Sequence, residues 1–208
     1  MGRVSDAKER LMAAVSELFW TGSYDGTTID QICQKAGVRK GSFYYFFDCK
    51  ASLAEAALEQ EWAAYRPKLD AIYSATLPPL ERIRQHCEFS IREQLDLQKQ
   101  HGCVLGCPIC TLGTEVSTQE KGLQKKIQEI MSCGLRYLET AIRDAHAGGE
   151  ITAPDARAKA KIIHAYHLGL MTQARIQNDL SILDDLTATT FELLGAPMPK
   201  KPKKRSGG

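Results

Sequence analysis

Residues 27–47, TTIDQICQKAGVRKGSFYYFF, admit few folds. Thr28 is the residue type that caps a helix start, with Gln31 three positions on as its capping-box partner. Ile29, Ile32, Cys33 and Ala36 then fall on one helical face, and Gly37 supplies a C-terminal stop. A second short helix opens at Arg39, Lys40, Gly41 and Ser42 and runs on through Phe43, Tyr44, Tyr45, Phe46 and Phe47. Two short helices about a glycine-containing turn make a helix-turn-helix, whose second helix enters the DNA major groove.

The rest of the chain is also patterned for helices. Leu11, Val15, Leu18 and Phe19 share a face, and Gly22 ends that run. Leu58, Trp62, Tyr65, Leu69 and Ile72 keep the three-or-four spacing, with Pro67 inside the run, where a kink or break is expected. Pro78-Pro79 opens another helix, and residues 101–108 read as a turn. Ile127, Met131, Leu135, Leu138 and Ile142 form a stripe ended by Gly148-Gly149, and Pro154-Asp155 starts a long helix. A final helix carries Leu183, Leu186, Phe191 and Leu194. The alternation of half-buried strands is absent, so the fold class is all-α. The expected division is a helix-turn-helix domain of three helices at 1–50, a larger helical domain at 51–195, and a basic, disordered tail at 196–208.

Bulk charge does not identify a nucleic-acid binder. Without Lys200, Lys201, Lys203, Lys204 and Arg205, 22 Lys and Arg face 25 Asp and Glu, a balance of −3. Residues 1–50 hold seven basic and six acidic side chains, so any DNA surface must be local. No apolar run reaches the roughly 18 residues of a membrane span, and MGRVSDAKER lacks a secretory signal's apolar stretch. A cytoplasmic protein with no membrane partner is expected. No paired carboxylates, nucleophile elbow or phosphate loop speaks for catalysis, so no enzyme and no cofactor are expected.

Together, Thr27-Thr28, Ile32, Ala36-Gly37-Val38, Lys40-Gly41-Ser42-Phe43-Tyr44, Phe47, Lys50 and Leu53 carry a likeness. Over residues 5–55 the chain resembles the tetracycline-repressor (TetR) family of bacterial one-component regulators, and the helical remainder resembles that family's ligand-binding and dimerisation domain. The residues support the same reading on physical grounds. Gly41 lets the backbone approach DNA closely, N–H groups at the helix start favour a phosphate, and Lys40 adds charge there. Tyr44 and Tyr45 present hydroxyls on rigid apolar bodies suited to phosphate or thymine-methyl contacts. The resemblance places Thr28, Lys40, Gly41, Ser42, Tyr44, Tyr45 and Lys50 at DNA-contacting positions, Thr27 offers a further hydroxyl, and Phe43 and Phe47 look like core anchors. Arg39 stands where many relatives have a capping Ser or Thr. That exchange forgoes a cap worth about 1 kcal/mol and adds a possible phosphate or base contact.

Seven cysteines are many for 208 residues. Cys103, Cys107 and Cys110 form C-x3-C-x2-C, a spacing also found in radical S-adenosylmethionine enzymes. Those enzymes need an α/β barrel, for which this chain has no strands. A thiol- or metal-sensing regulator is the stronger alternative, since thiolates favour zinc and soft metals, and cysteines at a helix start oxidise readily. The plain reading is that these are small apolar residues packing a helix entry, and no metal site is assigned. The resemblance accounts for Cys103 in a Gly-Cys-x-x-Gly turn before a helix bearing Glu115, but not for Cys107 or Cys110.

The expected function is that of a DNA-binding repressor acting on a palindromic operator and released by an unidentified small molecule. Effector-lining candidates are Trp62, Tyr65, Phe89, Cys103, Cys107, Tyr137, Tyr166, His167, Met171 and Arg175. Gly169, Leu170, Ile176, Leu183, Leu186, Phe191 and Leu194 lie on stripes covering more than one face, which implies partner helices and a homodimer. A dimer sets its reading helices ~34 Å apart, one DNA turn.

Overall fold

The computed structural model describes residues 2–116 and 118–197. The described residues contain no strand. The helices are α1 (Gly2–Thr21), α2 (Ile29–Ala36), α3 (Lys40–Phe46), α4 (Lys50–Ile72), α5 (Pro79–His101), α6 (Pro108–Val116), α7 (Lys121–Ala147), α8 (Ala156–Gln177) and α9 (Leu186–Leu194). A 3-10 turn at Leu180–Leu183 precedes α9, so the stretch read as one final helix is two pieces, with Leu183 on the turn. None of the described helices is long and apolar enough to cross a membrane. The basic run at 200–205 lies outside the described residues.

The chain divides into two compact units, residues 1–68 with 105–134, and 69–104 with 135–208. In the first, α1 packs against α2, α3 and α6. Leu11, Val15, Ile32, Phe43 and Leu53 are fully buried there. Burying each such side chain contributes about 1.5–3 kcal/mol, enough to hold helices of seven and eight residues that would not form alone. In the second unit α8 packs on the 3-10 turn and α9, and α5 meets both of them. Ile83, Ala141, Ile142, Ala160 and Phe191 are at its centre.

Pro67 does not break its helix, because α4 runs unbroken through it to Ile72. The division between the units falls one residue later, between Lys68 and Leu69.

Candidate nucleic-acid interface

The reading motif is built by local chemistry. Thr28 caps α2 in extended geometry: its hydroxyl accepts from Gln31 N–H (3.2 Å), and the Gln31 side chain accepts from Thr28 N–H (2.8 Å). Gly37 then turns the chain at φ 62°, a left-handed conformation that glycine enters without steric cost. Gly37 N–H donates to Gln34 and Val38 N–H to Cys33, which closes α2 in a Schellman arrangement. Two residues on, α3 opens at Lys40. The angle between the helices is held by Ile32, Cys33, Ala36 and Phe43 in the core.

With Phe43 and Phe47 buried, the opposite side of α3 faces water. Tyr44 is 52% exposed and Tyr45 74% exposed, unusual values for large aromatic side chains. Lys40 is exposed and pairs with Asp30 of α2 at 2.8 Å. Gly41 is exposed, and a Cβ built on it would meet nothing within 4 Å. The chain's own packing therefore does not require glycine there. Arg39 occupies the cap of α3 without a side-chain cap hydrogen bond and is exposed, whereas Ser42 is half-buried.

Thr27 and Lys50 are committed elsewhere. Thr27 is buried and its hydroxyl donates to Ser23 O at 2.6 Å. Lys50 Nζ donates to Tyr24 O (2.5 Å) and Thr27 O (3.0 Å) and sits 4.1 Å from the Tyr24 ring centroid. Its ammonium fastens the segment ahead of α2 to the start of α4, because the carbonyls of Tyr24, which also accepts from Thr27 N–H, and of Thr27 lie within its reach.

Tyr24, which the sequence reading did not single out, is the hub of that segment. Its backbone N–H donates to Glu115 Oε2 of α6 (2.7 Å), and its hydroxyl donates to Glu120 Oε1 (2.9 Å). Burial and the Glu120 carboxylate raise the Tyr24 phenol and keep it protonated. A single aromatic in the polar stretch GSYDG was the available signal.

The ten effector candidates are spread over both units, with Trp62, Tyr65 and Cys107 in the first and the others in the second. A small apolar cleft of about 20 Å³ in the first unit is walled by Val15, Phe19, Trp20, Leu58, Pro108 and Leu112 among others, and none of the ten candidates lines it. Trp62 and Tyr65 lie a turn apart on α4, with ring centroids 6.4 Å apart. In the second unit His167 and Met171 are buried, while Phe89, Cys103, Tyr137, Tyr166 and Arg175 are half-buried. An aromatic chain links Tyr137, Tyr73, His86 and His167, with neighbouring centroids 5.3–5.4 Å apart. Burial, with His164 nearby, pushes His86 down to about 4. Burial, with His86 and His164 nearby, pushes His167 down to about 3. Burial also lowers His164. Sequence reading missed His86 because nothing in the pattern of α5 distinguishes it from the apolar positions around it.

Leu183, Leu186, Phe191 and Leu194 go to the subunit's own core. They fill the space between the 3-10 turn, α9, α5 and α8, which accounts for the second apolar face of those segments. Gly169 and Leu170 are half-buried, and Ile176 is 77% exposed. Ile162, also on α8, is 55% exposed. The cysteines carry thiols, with Cys33 and Cys87 buried, Cys103, Cys107, Cys110 and Cys133 half-buried, and Cys49 exposed. Among the described residues no group of three His, Cys, Asp or Glu side chains is arranged to hold a metal ion.

Known proteins share this arrangement. Residues 11–57 match the family described as bacterial regulatory proteins, tetR family, and residues 79–190 match the tetracyclin repressor-like C-terminal domain. The HTH-type transcriptional repressor NemR of Escherichia coli is 24% identical over 92% of this chain and 96% of its own length. The transcriptional regulator AcuR of Cereibacter sphaeroides is 30% identical over 74% of this chain and 70% of its own. The crystal structure of a regulatory protein TetR from Rhodobacter sphaeroides superposes with a TM-score of 0.79 at 26% identity, covering 90% of this chain and 98% of that one. The chain belongs to the tetR family of bacterial regulatory proteins.

Proposed function

We propose that this protein is a homodimeric transcriptional repressor, with residues 1–50 as its DNA-reading head and 51–195 holding the effector and dimer surfaces. Each subunit lays α3 into one of two successive major grooves of a palindromic operator. The observation that carries the reading is the start of α3. Lys40, Gly41, Tyr44 and Tyr45 are exposed together while Phe43 anchors the helix from behind. Core packing has no use for two solvent-facing tyrosines beside an uncrowded glycine, whereas a phosphate-lined groove does. Arg39 and Thr28 flank this set, and Thr27 and Lys50 support it from inside.

The dimer surface is the outer face of α8. Ile162, Gly169 and Ile176 recur every seventh residue, the period of a helix packing along a partner. A Cβ at Gly169 would meet nothing within the subunit, so the space it leaves suits close approach of a second helix. A small effector binding one dimer geometry better than the other would shift the spacing of the heads by population shift. The test is equilibrium binding to a duplex that the chain selects from random sequence. A Lys40→Ala, Tyr44→Ala double variant is expected to bind at least about tenfold more weakly, and unchanged binding refutes the reading.

A further inference from the structure

We propose that Cys107 and Cys110 are a vicinal dithiol at the start of α6 that closes to a disulfide under a peroxide-class oxidant, and that closure weakens DNA binding. The proposal rests on the regulator reading above. The sequence there is Cys-Pro-Ile-Cys, and Pro108 opens α6. Cys107 occupies the position just before the helix, where its carbonyl accepts from both the N–H and the hydroxyl of Thr111, each at 3.0 Å. Cys110 lies three residues on, and residues so spaced are neighbours on a helix with Cβ atoms ~5–6 Å apart. The Cys110 thiol donates a hydrogen bond to the Cys107 sulfur. One helical turn thus already brings the two sulfurs into contact, and neither is sealed in a core.

The helix start assigns the roles. The hydrogen bond with Cys107, together with burial, pushes the Cys110 thiol up. Cys107 sits at the entry of α6, where the helix amide groups favour negative charge. Cys107 is therefore the attacking sulfur. Its thiolate attacks one oxygen of hydrogen peroxide, the O–O bond breaks, hydroxide leaves, and Cys107 becomes a sulfenic acid. Cys110 sulfur then attacks the Cys107 sulfur, the S–O bond breaks, and water departs with the Cys110 proton. Two thiols and one peroxide give one disulfide and two waters, and a cellular dithiol reverses the step by exchange.

A disulfide inside one turn constrains little unless that turn is braced at both ends, as this one is. Ahead of it, the Leu105 carbonyl accepts from the Trp20 indole of α1 at 3.1 Å, across Gly106 in a left-handed turn (φ 66°). Beyond it, Glu115 of the same helix takes the Tyr24 N–H, and Lys50 ties Tyr24 to α4. Drawing Cys107 onto the helix displaces the α6 start against α1, and α6 carries that displacement to the segment preceding α2.

The test uses the full chain with Cys103→Ser, so that the peptide holding the pair contains no third thiol. Treated with hydrogen peroxide, it is expected to lose two hydrogens between Cys107 and Cys110 by mass spectrometry. It should also bind its selected duplex at least about tenfold more weakly, with full recovery in dithiothreitol. Cys110→Ser in the same background should keep its affinity under peroxide, and Cys110→Ala serves if the serine variant folds poorly. No 107–110 disulfide, a disulfide without loss of affinity, or equal loss in the Cys110 variants overturns the proposal. A reduced chain that selects no duplex at all overturns the regulator reading, and the switch with it.

Discussion

Mild acid should unfold the second unit through its histidines. His86 and His167 ring centroids are 5.3 Å apart, and the two titrate at about 4 and about 3 in the folded chain. In an unfolded chain both return to about 6.5. A histidine depressed by folding binds its proton more readily when unfolded, so stability is complete above the unfolded value and drains as pH falls from about 6.5 toward 4 and 3. Between pH 7 and pH 5 the linkage amounts to about 2 kcal/mol for each group, which is the upper end for His86 because it retains some solvent contact. Together they approach about 4 kcal/mol, a large part of the 5–15 kcal/mol that stabilises an ordinary domain. The assay is urea unfolding at fixed protein concentration at both pH values, on the parent and on His86→Phe, His167→Phe. The parent should lose most of this stability on acidification, and the variant should lose far less. Identical losses in the two proteins would show that the pair does not titrate as the structure requires.

Three further outcomes follow from the site. Lys50→Met should cost about 1–3 kcal/mol of stability in denaturant unfolding, since it removes a charged donor from the Thr27 and Tyr24 carbonyls and leaves Tyr24 O only its bond from Thr27 N–H, yet leave the salt slope of DNA binding unchanged; a slope lower by about one unit would make Lys50 a phosphate ligand instead. Arg39→Ser should supply the missing cap of α3, raise stability by about 0.5–1 kcal/mol in thermal melts and weaken DNA binding, and a loss of stability would refute the cap argument. Ile162→Lys with Ile176→Lys should yield monomers in sedimentation, whereas an intact dimer would place the interface elsewhere.

The parts of the fold set by local chemistry were legible in the sequence. The Thr28–Gln31 capping box, the Gly37 stop and the buried Phe43 all follow from residue types at fixed spacings. What escaped depends on partners distant in sequence. Lys50 looks like a phosphate ligand until Tyr24 and Thr27 are seen to present carbonyls to it, and Thr27 looks available until Ser23 takes its hydroxyl. The stripes of α9 signalled burial correctly but not whose core would receive them, since hydrophobic periodicity cannot distinguish a subunit's interior from its interface. Of the kink or break expected at Pro67, the break does not occur, since α4 continues through it. The proximity of His86 and His167, on α5 and α8, required the tertiary fold.

The central claim is that two copies of α3 read one operator through the residues at its start. The most direct measurement is the affinity of the purified reduced protein for its selected palindrome as a function of salt, for the parent and for the Lys40→Ala, Tyr44→Ala variant. The parent should bind one dimer per palindrome with a steep salt dependence. The variant should bind at least about tenfold more weakly, with a slope reduced by about one unit for each phosphate that Lys40 no longer neutralises. A variant that matches the parent in both affinity and slope would contradict the account.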